Sequence, residues 1–413
     1  MTAAEKDEVL ADITPALFAL TVCQLGLHSC MHGMRVAIPL QALSQGYTAL
    51  TVGVLVAMFA VIPAIFAISF GRLTDEVGYH APVRFAALLC IASGLTLAFS
   101  DSLYALGLGA ALCGAGSGFG VIAIQRTASN LSATTAGRIR IFSWIALAPA
   151  LAGLIGPSLA GLIIDNIGYR MAFAALGCLP VLTLLFSASV PNLAPKLEPK
   201  KASEKPTKDV NDVMHRGPKK AMDLLRNTSM RQLLFINVLV AASWDLHSFV
   251  IPILGHERGF SATAIGGIFA AFSAASITIR VVLPIFSKRV PAPTLMLAAI
   301  SLAAITFAVY PMTDSALGMA VCGFVFGIAI GSVHPVIMAT LHDVTPSGRI
   351  GESLAIRSLM TQVSMATTPL VFGLVGLSMG APVLLWTMAG ILSLGGWQST
   401  RLFSNMQKTN SET

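Results

Sequence analysis

An acidic residue stands where an apolar medium would reject it. Asp245 lies inside LLFINVLVAASWDLHSFVIPIL, a run long enough to cross a bilayer. On insertion scales an ionised Asp at the centre of such a helix costs about 2.5–3.5 kcal/mol. Intramembrane acids of this kind face a partner or a water-filled interior and mark transport pathways. A second polar group stands in the first apolar segment, at Gln24, His28, His32 and Arg35. His28 and His32 are four residues apart and Arg35 is three further on, so one helix face carries all of them. Trp244, beside the acid, offers an aromatic surface. Two chemistries fit these types. A carboxylate facing an imidazole gains or loses a proton as its access to water changes. Alternatively, Arg35 and the histidines hold an anionic group on a bound molecule.

The elements that must position these residues are membrane helices. The 413-residue chain is 55% hydrophobic and 11% charged, with mean hydropathy +0.78. A soluble domain has about 25% charged residues, so too few polar side chains exist to coat a water-facing surface. Twelve apolar runs are long enough to span: 13–40, 49–70, 83–100, 103–127, 140–164, 169–190, 232–254, 262–284, 292–310, 315–340, 353–377 and 382–400. The net charge of +7 does not signal a nucleic-acid partner, because Lys and Arg gather in alternate loops. That asymmetry places both termini in the cytoplasm, with Arg170 and Arg258 as exceptions on the other side. The acid-rich N-terminus lacks the basic start of a signal peptide, so the first segment is expected to remain as an anchor. The six cysteines fall in apolar runs without zinc-ligand spacing and read as packing residues, so no metal site is expected.

The chain divides into residues 1–190, a polar, Pro-rich and charged connection 191–231, and residues 232–413. The outer two parts resemble each other. An offset of 213 carries Ile38-Pro39 onto Ile251-Pro252, Gly46 onto Gly259, Gly53 onto Gly266, Asp101 onto Asp314, Gly114 onto Gly327 and Gly118 onto Gly331. An offset of 212 carries Pro157, Gly161 and Gly168 onto Pro369, Gly373 and Gly380. A duplicated six-helix unit follows, the plan of many secondary transporters, whose sites lie between the halves. His32 and Asp245 are also 213 apart, so the repeat predicts that these two face each other.

Two motifs carry a family resemblance. GRLTDEVGYHAPVR, Gly71 to Arg84, supplies glycines for a tight turn and an acid, Asp75, suited to a helix N-terminus. GLIGPSLAG, Gly153 to Gly161, combines the kink of Pro157 with glycines that admit a close neighbour. The first resembles the signature of the major facilitator superfamily between its second and third helices; Gly71, Asp75 and Gly78 match, while Tyr79 and His80 replace the usual basic pair. The second is similar to the antiporter signature of the same superfamily at Gly156, Pro157 and Gly161, with Gly153 one residue out of register and Ala160 in place of Gly. The resemblance implies an all-α fold of twelve transmembrane helices in two pseudo-symmetric six-helix bundles that alternate access.

The expected function is secondary active transport of a small organic molecule, as a proton-coupled exporter acting as a monomer in a bacterial-type inner membrane. The energy source is the proton gradient, with no cofactor, and the chain is expected not to be an enzyme: no H-E-x-x-H metal site stands in it. The alternatives are a proton-coupled importer of an organic anion and a non-transporting membrane sensor. Arg126, Arg357 and Gln362 are candidates for an inner gate.

Overall fold

The computed structural model describes residues 3–131, 141, 144–190, 223–286, 290–345 and 350–412, and every regular element among them is helical. The helices are α1 (Ala3–Ser44), α2 (Ala49–Val77), α3 (His80–Phe99), α4 (Leu103–Asn130), α5 (Leu147–Asn166) and α6, in two pieces, Tyr169–Cys178 and Val181–Ser187. Then come α7 (Thr228–Glu257), α8 (Ala262–Phe286), α9 (Ala292–Val309) and α10 (Ala316–Val344). A last run, Ile350–Glu412, bends at Gly380, whose φ of 77° no helix contains, giving α11 (350–379) and α12 (381–412). Among the described residues, α2 to α12 supply eleven spans that are long and apolar enough to cross a membrane. The twelfth, α1, runs 42 residues and is less apolar than α2, because its start is acid-rich and Gln24, His28, His32 and Arg35 interrupt the rest.

Side-chain caps set several boundaries. Asn227 Oδ1 accepts from the N–H groups of Ser229 and Met230 at 2.9 and 3.3 Å, so α7 begins at Thr228, four residues before the expected start. Ser102 caps α4 in the same way, accepting from Ala105 N–H at 3.2 Å. The sixth span breaks where Pro180 withholds an N–H. The fifth helix is described from Leu147, and residues 141, 144 and 145 before it are also helical; 132–140, 142–143 and the predicted connection from 191 to 222 lie outside the described residues.

The repeat is physical. Gly46 and Gly259 both adopt positive φ, 81° and 68°, as do Gly168 and Gly380, 106° and 77°. The bonds around them repeat too: Tyr47 N–H donates to Ala42 C=O, and Phe260 N–H donates to Gly255 C=O, each pair shifted by 213. A Cβ on Gly114 would lie 2.0 Å from Phe59 O, and one on Gly327 would lie 2.2 Å from Phe272 O, the repeat equivalent. The two basic residues that broke the charge asymmetry are explained by the same symmetry. Arg170 pairs with Asp101 at 3.6 Å and Arg258 with Asp314 at 4.0 Å, and the two aspartates are repeat-related.

The halves meet through bare backbone. Gly161 packs on Ala262 and Thr263 of α8, and Gly266 of α8 packs on Pro157 of α5. Their repeat partners do likewise, Gly373 on Ala49 and Gly53 on Pro369. Among the described residues, each glycine contact between the halves that a Cβ would crowd below 3.4 Å lies between mid-membrane and the face opposite the chain termini. That face is closed. Among the described residues Gly71, near the other end of α2, meets nothing within 4 Å, so the close helix contact expected of it is not found among them. Gly78 does make the expected turn, at φ 82°.

Gly114→Ala and Gly327→Ala are each expected to destabilise the purified protein by roughly 1–3 kcal/mol through overpacking. Gly71→Ala is expected to be neutral or slightly stabilising. Thermal unfolding in detergent checks the ranking; equal effects at all three positions would contradict it.

Candidate functional site

The site is built where α1 of the first half crosses α7 of the second. Gly156 of α5 has no side chain, and a Cβ there would meet Ser29 O at 2.4 Å and Gly33 N at 2.7 Å. This contact presses α5 onto α1 and fixes the turn that carries His32 and Arg35. Gly153, one turn earlier on α5, receives Ser273 of α8. The antiporter-like stretch therefore holds α1 with one glycine and α8 with two.

Arg35 is the residue opposite Asp245. Its guanidinium NH2 lies 3.7 Å from Asp245 Oδ1, and both side chains are buried, at 6% and 4% exposure. The prediction that His32 would face the acid is corrected here. Repeat-equivalent positions on α1 and α7 share a level, but a long guanidinium three residues further on reaches across and takes the carboxylate. His32 instead sets its ring edge against Trp244, with centroids 6.5 Å apart, and lies 6.2 Å from the His28 ring. Trp244 in turn rests on Phe272 at 4.6 Å.

His32, Arg35, Val36, Gly153, Pro157, Trp244, Ser248, Phe269, Phe272 and Ser273 line a cavity of about 20 Å³. That is room for about one water, far below the roughly 300–1,000 Å³ of an organic ligand site. It lies where α1 and α5 of the first half meet α7 and α8 of the second. Arg35 Nε and NH2 have no hydrogen-bond partner among the described residues. An ion pair at 3.7 Å is too long for a hydrogen bond, so the guanidinium keeps donors for another acceptor.

The rest of the predicted stripe diverges. His28 Nδ1 bonds the Gln24 carbonyl oxygen at 3.1 Å, which spends one ring nitrogen inside its own helix. Gln24 is buried with Oε1 unpartnered. Neither lines the cavity. Of the inner-gate candidates, Arg357 donates to Asn237 of α7 at 3.4 Å, Gln362 is exposed, and Arg126 is half-buried. Arg84 donates to Ser187 at 3.4 Å, tying α3 to α6. The side chain of Asp75 lies outside the described residues.

Two buried or capping polar groups were not singled out by the sequence. Asp165, at the end of α5, accepts from Ala262 N–H at 3.0 Å and Thr263 N–H at 2.7 Å. These are orphan donors in the first turn of α8, so an acid from one half caps a helix of the other. Its position in DNIGYRMAF suggested only a turn. His247 is fully buried in the second half, its Nε2 3.0 Å from Tyr310 Oη, among the rings of Phe269, Phe272 and Phe326. It stands two residues from Asp245 and so points away from the pathway.

A profile of the Major Facilitator Superfamily matches residues 20–230 and 233–412. The chain belongs to the Major Facilitator Superfamily. Within that superfamily it is 32% identical over 148 residues to "Tetracycline resistance protein, class H" of Pasteurella multocida, covering 35% of this chain and 36% of that protein. It is 31% identical over 109 residues to the class B protein of Escherichia coli, covering 26% and 27%. The alignments thus span about a third of the length of these relatives. Among solved structures, a POT family transporter in complex with a thioalcohol-conjugated peptide superposes with TM-score 0.73 over 95% of this chain and 96% of that one, at 13% identity. A nucleoside transporter superposes with TM-score 0.66 over 94% and 100%, at 14% identity. These likenesses carry the fold. The chain is an integral membrane protein of the superfamily.

Arg35→Gln and Asp245→Asn are each expected to shift the protein away from the closed state, and the double variant to restore part of the shift. The coupling expected for contacting charges is about 0.5–3 kcal/mol. Asp165→Ala, which removes a helix cap, is expected to shift the same equilibrium by about 0.5–2 kcal/mol. Distances between spin labels at Ile167 and Met312, both exposed, read the population; additive effects of Arg35 and Asp245, or an unchanged distribution in Asp165→Ala, would contradict these expectations.

Proposed function

We propose that this protein is a proton-coupled exporter of small organic molecules. It works as a single chain by alternating access in a bacterial-type inner membrane, with both termini in the cytoplasm. The observation that carries the proposal is the Arg35–Asp245 pair beneath the closed face. With the termini cytoplasmic, that face is the outer one. A proton arriving there cancels the acid's charge and the attraction that holds α1 to α7. The outer face then opens and the substrate leaves. Proton release toward the cytoplasm restores the pair and recloses the face. The proton gradient supplies the energy and no cofactor is required. Partial likeness to the tetracycline resistance proteins supports export and makes tetracyclines the first compounds to try.

A second reading has its own observation. The unpartnered N–H groups of Arg35 at the cavity suit an anionic substrate group, and an organic-anion importer coupled to protons would use them.

Everted membrane vesicles that pump protons inward separate the two. Export predicts accumulation of labelled substrate inside everted vesicles, collapsing with an uncoupler. Asp245→Asn is expected to lose that accumulation at least about tenfold, a loss of about 1.4 kcal/mol or more of coupling, while counterflow exchange persists. Accumulation only in right-side-out vesicles would favour the importer, and absence of counterflow with every compound tried would favour a sensor.

A further inference from the structure

Three cysteines that are far apart in sequence meet in the core of the first half. Cys30 of α1, Cys90 of α3 and Cys113 of α4 place their sulfurs within 4.8 Å of one another, with Cys30 Sγ and Cys113 Sγ 3.9 Å apart. All three are free thiols and fully buried. Gly116 makes the space: a Cβ there would lie 2.5 Å from Cys90 Sγ. The spacing 30, 90, 113 has no metal-ligand pattern, so only the packing of three helices brings the thiols together.

We propose that this triad is a binding site for a three-coordinate thiophilic centre, and specifically for trivalent arsenic. The geometry comes first. A flat centre about 2.3 Å from each of three sulfurs needs sides of about 4 Å, and a pyramidal one needs shorter sides. The observed triangle reaches that size by inward rotation of the side chains. Softness comes second: three sulfurs and no oxygen or nitrogen select soft partners. Charge decides between them. Three thiolates around a monovalent ion leave two negative charges, and around a divalent ion one. Such a charge is costly in an apolar bundle without a partner. The charge of Arg35 is already balanced by Asp245, 3.7 Å away. A trivalent centre leaves no net charge.

The reaction balances without a redox partner. Arsenous acid, As(OH)3, exchanges three As–O bonds for three As–S bonds, and each thiol proton leaves with a hydroxide as water. All three helices belong to one half, so the bound centre staples that half internally and does not bridge the two.

The test uses the full-length protein in detergent, with sodium arsenite or cadmium chloride as the only added ligand. Dialysis and elemental counting are expected to find one arsenic per chain, with X-ray absorption showing three sulfurs and no oxygen around it. Cys30→Ser, Cys90→Ser and Cys113→Ser should each abolish retention, while a Cys23→Ser/Cys178→Ser/Cys322→Ser variant keeps it. Arsenic that washes out, or fewer than three sulfurs in the wild-type spectrum, overturns the site without relying on any variant. Cadmium held as tightly as arsenic overturns the assignment to a trivalent centre.

Discussion

A charge pair buried between two halves, in a medium that penalises charge, is the constraint on which this structure turns. Arg35 and Asp245 come from different bundles and are almost wholly shielded. Such a pair adds little net stability, because two desolvation penalties offset the attraction. Its value lies in being conditional. While both groups are ionised, separating them exposes two uncompensated charges. Once the acid is protonated, the reason for contact is gone. In the proposed cycle, that condition governs the outer face of the molecule.

The surrounding packing explains how. Gly156 lets α5 support α1 just where Arg35 must be held, and Gly161 and Gly266 allow α5 and α8 to touch by backbone. These contacts bring backbone against backbone across the interface. Asp165 adds a second electrostatic contact at the rim by capping α8 across the interface. The closed face thus rests on two carboxylates with different partners, one a guanidinium and one a pair of backbone N–H groups. A proton on Asp245 weakens the first while the second remains.

Much of this was legible in the sequence. Apolar runs gave twelve helices, since backbone groups in lipid leave few other solutions. Two offsets, 213 and 212, located turn glycines that share positive φ and helix glycines that share backbone neighbours. Asp245 stood out because its cost there is high. What was hidden depends on side-chain reach and on tertiary approach. The repeat matched Asp245 with His32, yet Arg35 has the length to take the acid. Asp165 had the composition of a turn until α8 brought its free N–H groups alongside. Cys30, Cys90 and Cys113 meet only after three helices pack, and Gly71 has the residue type for close contact but no neighbour among the described residues.

The central claim is that the acid is charged when the face is closed and carries a proton when it is open. Infrared difference spectroscopy of the membrane-reconstituted protein, taken between conditions that close and open the face, reads this directly. The account predicts a protonated-carboxyl stretch that appears with opening and is missing from the Asp245→Asn difference spectrum. Opening without such a band, or a band that survives the substitution, would contradict it.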